Sequence, residues 1–231
     1  IMAQDDFTRG LKTERMTNIA LAFKKAGAML AAIDLELFTH ISNGKATADE
    51  IGAVLGIDAK KFDRLLTACK SMDMIREIDG RHESFSDAQR YLVKGTRTYF
   101  GDYLAYTARR DYSAWEFITD HLTAKPDNND DDERTYLSLM QDPEEARKFT
   151  IAGYEASIGL GHKLAKQFDF SRHKRWLDLG GGSGCYAIPA CERHDGIAVT
   201  IMDQINVIAV ARDYIGKHGL TGRIDTVPGN F

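Results

Sequence analysis

The segment Arg175–Ala187, R-W-L-D-L-G-G-G-S-G-C-Y-A, constrains the fold of this chain more than any other. Trp176, Leu177 and Leu179 make a short apolar run of the kind that buries as a strand. Four glycines among the next five residues stop it. An apolar pattern (Tyr186, Ala187, Ile188) then resumes at helical spacing, with the helix expected to open near Ser183. Strand, glycine turn and helix are the entry to a doubly wound nucleotide-binding sheet, whose ligands sit beyond the carboxyl ends of the strands. The spacing of Gly180, Gly182 and Gly184 is G-x-G-x-G. A dinucleotide fingerprint would need glycine at Cys185, and no Gly-Lys-Ser/Thr follows as in a phosphate loop. The open N–H groups of a helix start suit a ligand carboxylate as well as a phosphate. Another Rossmann-like turn is the alternative.

The following strands narrow the choice. Ile197–Met202 is β-rich and ends at Asp203, about 20 residues past the glycines, where an acidic side chain can hold ribose hydroxyls. Ile205–Ile215 reads as a helix, and Arg223–Val227 as a third strand leading into Pro228, Gly229, Asn230 and Phe231. Gly180, Asp203 and Asn230 would then share one rim. Three strands about 4.8 Å apart span roughly 10 Å, close to an adenosine.

A chain of 231 residues with 43% hydrophobic and 28% charged residues has the composition of one or two globular domains. Its net charge of −4 argues against broad binding to nucleic acid or anionic membranes, though not against a local basic face. No apolar run approaches a membrane span, and the N-terminus does not read as a signal peptide. Cys69, Cys185 and Cys191 lack metal spacing, so reduced thiols in the cytoplasm are expected. Cys185, at the expected helix start, is a packing residue or a thiol of lowered pKa.

Ahead of the sheet, Thr13–Ile41 reads as one long helix or two, broken near Gly27. It is either a core helix or one that packs on a partner subunit. T-A-D-E at 47–50 is a capping box, opening a helix with Ile51, Val54 and Leu55 inward that ends at Gly56. Lys60–Met72 places Phe62, Leu65, Leu66 and Cys69 on one side, and Asp79-Gly80 joins two short alternating strands. Helix, turn, helix and hairpin make a winged helix. Lys60, Lys61, Arg64, Lys70, Arg76, Arg81 and His82 raise DNA contact, while Asp63, Asp73, Glu77 and Glu83 oppose it. Ser86–Val93 is a short helix, and Tyr99–Leu122 a longer aromatic one that makes core or walls an aromatic-ligand pocket. Lys125–Arg134 is a polar acidic loop without the spacing of a calcium site. Pro143–Phe168 is again helical. The seven histidines are scattered, and no metal site is expected.

L-D-L-G-G-G-S-G at 177–184, M-D-Q at 202–204, G-N-F at 229–231 and T-A-D-E-I-G-A-V-L-G-I-D at 47–58 together give the chain its resemblance to a family. It resembles the S-adenosylmethionine-dependent small-molecule O-methyltransferases with an N-terminal winged-helix dimerisation domain. The resemblance runs from about Ala26 to Phe231. It implies an α/β fold: a Rossmann-like methyltransferase domain preceded by a mainly α winged-helix domain. The implied divisions are a dimerisation domain at 1–95, a helical connector at 96–170, and the N-terminal half of the S-adenosylmethionine-binding domain at 171–231. It further implies a homodimer, no DNA binding, and methyl transfer to a hydroxyl of a small aromatic or polycyclic acceptor.

For the cofactor, the resemblance implies Gly180, Gly181 and Gly182 along the methionine and ribose portions, and Asp203 on the ribose hydroxyls. Gln204 would flank the adenine, Asn230 and Phe231 would border it, and Ser157 would lie near the methionine end. Asn230 stands where the family usually has aspartate, Ile205 replaces a common proline and Gly153 a common methionine. The family's general-base histidine lies on strands beyond Phe231, so no residue here matches it, and the chain is expected to be a piece of a longer enzyme. Two rivals stay open: a winged-helix regulator with a ligand-sensing Rossmann domain, and a relative that methylates carbon or nitrogen or uses the cofactor for other chemistry.

Overall fold

Local chemistry sets the elements of the first unit. The computed structural model describes residues 13–123 and 132–230, and the chain divides into two compact units, Ile1–Thr96 and Arg97–Phe231. The first begins with three helices, α1 (Glu14–Ala20), α2 (Ala22–Asp34) and α3 (Leu37–Ser42). The expected break near Gly27 does not occur: Gly27 lies inside α2, and the chain breaks instead at Leu21 and at Leu35–Glu36. Glu36 adopts the left-handed conformation, φ 48°, which stops the α2 ladder. Its carboxylate meets Lys94 Nζ at 2.8 Å.

Next come α4 (Ala48–Leu55) and α5 (Ala59–Ser71). Thr47 Oγ1 accepts from Glu50 N (3.1 Å) and Glu50 Oε2 accepts from Thr47 N (3.1 Å), closing the capping box. Gly56, at φ 66°, ends α4 in the left-handed conformation. Phe62, Leu66 and Cys69 are buried on α5 and Ile51 on α4. Val54, expected inward, is exposed, so the buried stripe of α4 is narrower than its sequence suggests. Strands β1 (Ile75–Ile78) and β2 (Arg81–Ser84) pair antiparallel. Their turn has positive φ at both Asp79 (50°) and Gly80 (74°), as a two-residue hairpin of this hand requires. Helix α6 (Ser86–Tyr91) completes the unit.

The second unit opens with α7 (Gly101–Glu116) and α8 (Ile118–Thr123), which break at Phe117 where one helix was expected. The acidic loop expected at Lys125–Arg134 lies largely outside the described residues, and α9 (Asp132–Gln141) begins within its span. The 25-residue helix α10 (Pro143–Gln167) has Asp142 as its cap, accepting from Glu144 N and Glu145 N. A parallel sheet follows: β3 (Arg175–Leu179), α11 (Ala187–Arg193), β4 (Ala198–Asp203), α12 (Ile205–Lys217) and β5 (Ile224–Pro228). The strand order is β3-β4-β5, with Trp176 opposite Val199 and Val199 opposite Ile224.

One face of this sheet packs on helices. Val199, Ile201 and Ile224 join Ala165, Ile188, Ala211 and Ile215 in one core, with Trp176 against it. The other face is bare. Leu177 is 56% exposed and Leu179 53%, so the expectation that Trp176, Leu177 and Leu179 are all buried is corrected. Side chains alternate along a strand, and only the Trp176–Asp178 side faces the helical layer. A parallel sheet ordinarily buries both faces; the described residues supply one layer.

His82 on β2 is 5% exposed, and its Nδ1 has no hydrogen-bond partner among the described residues. Burial lowers its pKa, and Glu77, 4.0 Å away, offsets part of that shift. The unfolded chain therefore takes up a proton first as pH falls below the ordinary histidine value of 6.5. Denaturant titrations at about pH 7.5 and about pH 5 should show stability lost at the acidic end, and His82→Leu should shrink that difference.

Candidate functional site

Three strand ends meet around one carboxylate. Asp203, the last residue of β4, is 4% exposed. Its Oδ2 accepts from Gly182 N at 2.9 Å and its Oδ1 from Gln204 N at 2.7 Å. Its own carbonyl accepts from Gly229 N at 3.0 Å, which brings the end of β5 to the same rim. Gln204 Nε2 then donates to Asn230 Oδ1 at 3.0 Å. Gly180, Gly181, Gly182, Asp203, Gln204 and Asn230 are thus one contiguous cluster at the carboxyl end of the sheet. Phe231 lies outside the described residues.

The glycine turn owes its shape to two constraints. Gly180, Gly182 and Gly184 have φ of 64°, 57° and 82°, conformations that other residues adopt only under strain. Gly181 is needed for space: a Cβ there would stand 2.8 Å from the Asp178 carboxyl and 3.0 Å from Ile201 Cγ2. These left-handed residues delay the helix. Regular α11 begins at Ala187, not near Ser183 as expected.

Asp178 is the residue that sequence reading passed over. Its Oδ2 is buried with no hydrogen-bond partner among the described residues. Burial first, then the nearby Asp203 charge, pushes its carboxyl up to about 6. The available signal was alternation: Asp178 shares a strand face with Trp176, so a carboxylate in L-D-L faces the helices. Two acidic side chains therefore flank the turn, and none of the described lysines, arginines or histidines forms an ion pair with either.

Ser157, on α10, lies close enough to the same turn from the helical layer to act, with Ser183, on the Cys185 thiol, each lowering its pKa slightly. The Cys185 thiol is pushed up to about 11, chiefly by burial. The lowered-pKa reading of Cys185 is thereby overturned: α11 starts two residues later, and desolvation dominates. Beside the Asp203 end, Phe149 of α10 packs edge-on to Tyr106 (6.1 Å) and Tyr136 (5.9 Å). Burial, then the Asp203 charge, raises the Tyr136 pKa, so this aromatic group borders the rim. Tyr112, Trp115 and Phe117, within the Tyr99–Leu122 span expected to make core or wall a pocket, are exposed.

Residues 17–92 match the O-methyltransferase dimerisation domain and residues 133–231 the O-methyltransferase domain. The chain belongs to the O-methyltransferase family. Over 94% of its length it is 31% identical to a 3-hydroxy-5-methyl-1-naphthoate 3-O-methyltransferase of Streptomyces sahachiroi, covering 62% of that protein. It is 27% identical to the acetylserotonin O-methyltransferase of Rattus norvegicus, covering 94% of this chain and 51% of that one. Among solved structures, PigF with SAH superposes with a TM-score of 0.79 at 24% identity, over 95% of this chain and 67% of that one. The human N-acetylserotonin methyltransferase in complex with SAM gives 0.79 at 20%, over 96% and 67%. The chain spans between about half and two thirds of the length of the curated relatives named.

Where α10 crosses the turn, a Cβ on Gly161 would collide with the backbone carbonyl of Cys185. The helix thus rests on the peptide that shapes the site. Gly161→Ala should cost about 1–3 kcal/mol in chemical denaturation, as overpacking does. It should also loosen ligand binding at the rim, read by calorimetry.

Proposed function

We propose that this protein is an S-adenosylmethionine-dependent methyltransferase acting on a hydroxyl of a small aromatic or polycyclic molecule. The observation that carries the reading is the rim itself: a glycine turn tied to the buried Asp203, with Gln204 and Asn230 beside it. The residues fit the cofactor. Asp203 uses two of the roughly four lone-pair directions of its carboxylate on backbone N–H groups, which leaves capacity for ribose hydroxyls. Gln204 and Asn230 offer amide groups to an adenine edge, with Phe231 assigned to the same border. Gly180, Gly181 and Gly182 let a ligand approach the backbone closely, and Ser157 stands at the methionine end.

When bound, S-adenosylmethionine supplies a methyl group already activated for transfer. The chain's own residues then have positional work. Asp203 fixes the ribose, the glycine turn fixes the amino-acid tail, and Tyr106, Tyr136 and Phe149 offer apolar surface to a flat acceptor. Holding the reacting groups in line is worth several orders of magnitude in rate. We assign the base that takes the acceptor proton to a residue beyond Phe231.

The same reading organises the rest of the chain. Residues 1–95 are proposed as a winged-helix dimerisation domain: α4, α5 and the β1–β2 hairpin supply the pattern, and Met16, Ile19, Leu21 and Phe23 of the first helices are exposed for a second copy. Residues 96–170 are a helical connector to the pocket, and 171–231 the first half of a Rossmann-like domain, a reading supported by the bare sheet face. The DNA-binding rival is disfavoured because Lys70, Arg76 and Arg81 are paired with Glu77, Glu83 and Glu50. No single described helix is long and apolar enough to cross a membrane; with three buried free thiols, we place the protein in the cytoplasm.

Isothermal titration with S-adenosylmethionine and S-adenosylhomocysteine tests the assignment. Both should bind, and Asp203→Asn should weaken each about tenfold or more, the scale of a lost charge-assisted hydrogen bond. No heat with either ligand, together with binding of a dinucleotide, would overturn it.

A further inference from the structure

Two helices of the second unit, α7 and α10, pack against each other in opposite directions. Tyr103 on α7 meets Glu155 on α10, and Tyr106, one turn further along α7, meets Phe149, which lies earlier on α10. At the first of these meetings Glu155 Oε2 accepts from Tyr103 N–H at 2.8 Å. The first backbone N–H groups of a helix have no carbonyl of their own helix to meet. In α7, Leu104 N–H returns to Phe100 O at 3.3 Å, while the N–H before it is taken by Glu155. The start of α7 is otherwise fixed by its own residues. Tyr99 Oη donates to Asp102 Oδ1 at 3.3 Å, and the Phe100 and Tyr103 rings lie 4.6 Å apart. The Tyr99 ring fills the space that a Cβ on Gly101 would need. Those contacts are local and do not set where α7 lies along α10. Between the two meeting points each helix buries an alanine, Ala105 and Ala152. So small a side chain makes only a shallow ridge against a neighbouring helix and fixes register weakly. The bond to Glu155 is directional, and it joins the two helices.

We infer that Glu155 is a positioning residue for the aromatic acceptor: its bond to Tyr103 N–H sets the register of α7 on α10, and so the place of Tyr106 against Phe149. The inference rests on the acceptor surface assigned above and adds the residue that sets its shape. Glu155 acts through α7 and not by contact with the reacting groups. Three residues of helix rise about 4.5 Å, so Tyr106 stands within one turn of the pinned N–H. A slide or swing of that first turn reaches its ring almost undiminished. Phe149 moves with α10 itself, which rests on the Cys185 peptide at Gly161. Helix α10 is thus the fixed member, and α7 the one whose place is set. Reach matters more than charge in such a role. A carboxylate also stabilises a helix start by its charge, and that effect would survive a shortening of the side chain that breaks the register. A carboxamide of the same length would keep the register, because its oxygen still accepts from Tyr103 N–H.

The test separates reach from charge, and acceptor from cofactor, without turnover. The probe 2-naphthol, flat and hydroxylated, is titrated by fluorescence into the protein saturated with S-adenosylhomocysteine, whose own affinity is measured by calorimetry. Glu155→Ala and Glu155→Asp should each weaken the probe about tenfold, the scale of one charge-assisted hydrogen bond. Glu155→Gln should stay close to the parent protein. Affinity for S-adenosylhomocysteine should change by no more than about twofold in all three, the scatter between independent sites. In a Tyr106→Leu background, Glu155→Ala should cost almost nothing further, because both changes act on one surface. Affinity kept by Glu155→Asp and lost by Glu155→Gln would mean that the carboxylate acts by charge at the helix start, and would overturn the inference. Losses that add to those of Tyr106→Leu would do the same, as would a parallel loss of both ligands, the mark of a merely structural residue. A parent protein that binds S-adenosylhomocysteine but not 2-naphthol removes the acceptor surface and this inference together and leaves the cofactor reading standing. Binding of neither ligand removes all three. Should Glu155→Ala fail to fold, the comparison of Glu155→Asp with Glu155→Gln decides.

Discussion

The bonds from Gly182 N–H and Gln204 N–H to the Asp203 carboxylate are the constraint on which the second unit's site depends. A carboxylate only 4% exposed would be costly without donors, and here it has two, from different segments. Charge-assisted bonds of this kind are worth about 1.5–3 kcal/mol each. One consequence is positional. The glycine turn follows β3, yet its shape is fixed by the end of β4, while the Asp203 carbonyl holds Gly229 at the end of β5. The three tips therefore keep their spacing as one object. A ligand meeting them finds donors and acceptors already placed, which lowers the entropy lost on binding.

The first unit is held together differently. Its core of Phe38, Ile51, Phe62 and Leu66 is apolar, and its surface is knitted by pairs such as Arg76–Glu83 at 2.8 Å. Exposed pairs of this kind contribute little to stability, about 0–1 kcal/mol each. Their effect here is on surface character: they cancel the positive charges that the hairpin and α5 would otherwise present to a polyanion. The buried His82 adds an acid-sensitive element to this unit.

Much of this was legible in the sequence because the deciding chemistry was local. The Thr47–Glu50 box, the Gly56 stop and the Asp79-Gly80 turn each depend on a few adjacent residues, and each forms as read. The sheet order and the grouping of Gly180, Asp203 and Asn230 followed from one topological rule. What escaped depends on partners distant in sequence. Leu177 and Leu179 look like core, and only the position of the helical layer tells which strand face is covered. Glu36 carries no sign of left-handed backbone; its conformation follows from packing α2 and α3 at a corner. Gly27 looks like a break, but an exposed helix interior tolerates glycine at a cost of about 1 kcal/mol. Asp178 hid between two leucines, in a run read for hydrophobicity alone.

Helix α10 has a consequence that reaches beyond its own packing. At Gly161 its backbone sits directly on the Cys185 peptide, and twelve residues earlier Phe149 anchors the aromatic group. Twelve residues of helix measure about 18 Å, so α10 is a fixed ruler with the glycine turn at one graduation and the aromatic surface at another. Ligands of different size would then be accommodated by changing side chains along the ruler, since its origin cannot slide while Gly161 stays a glycine.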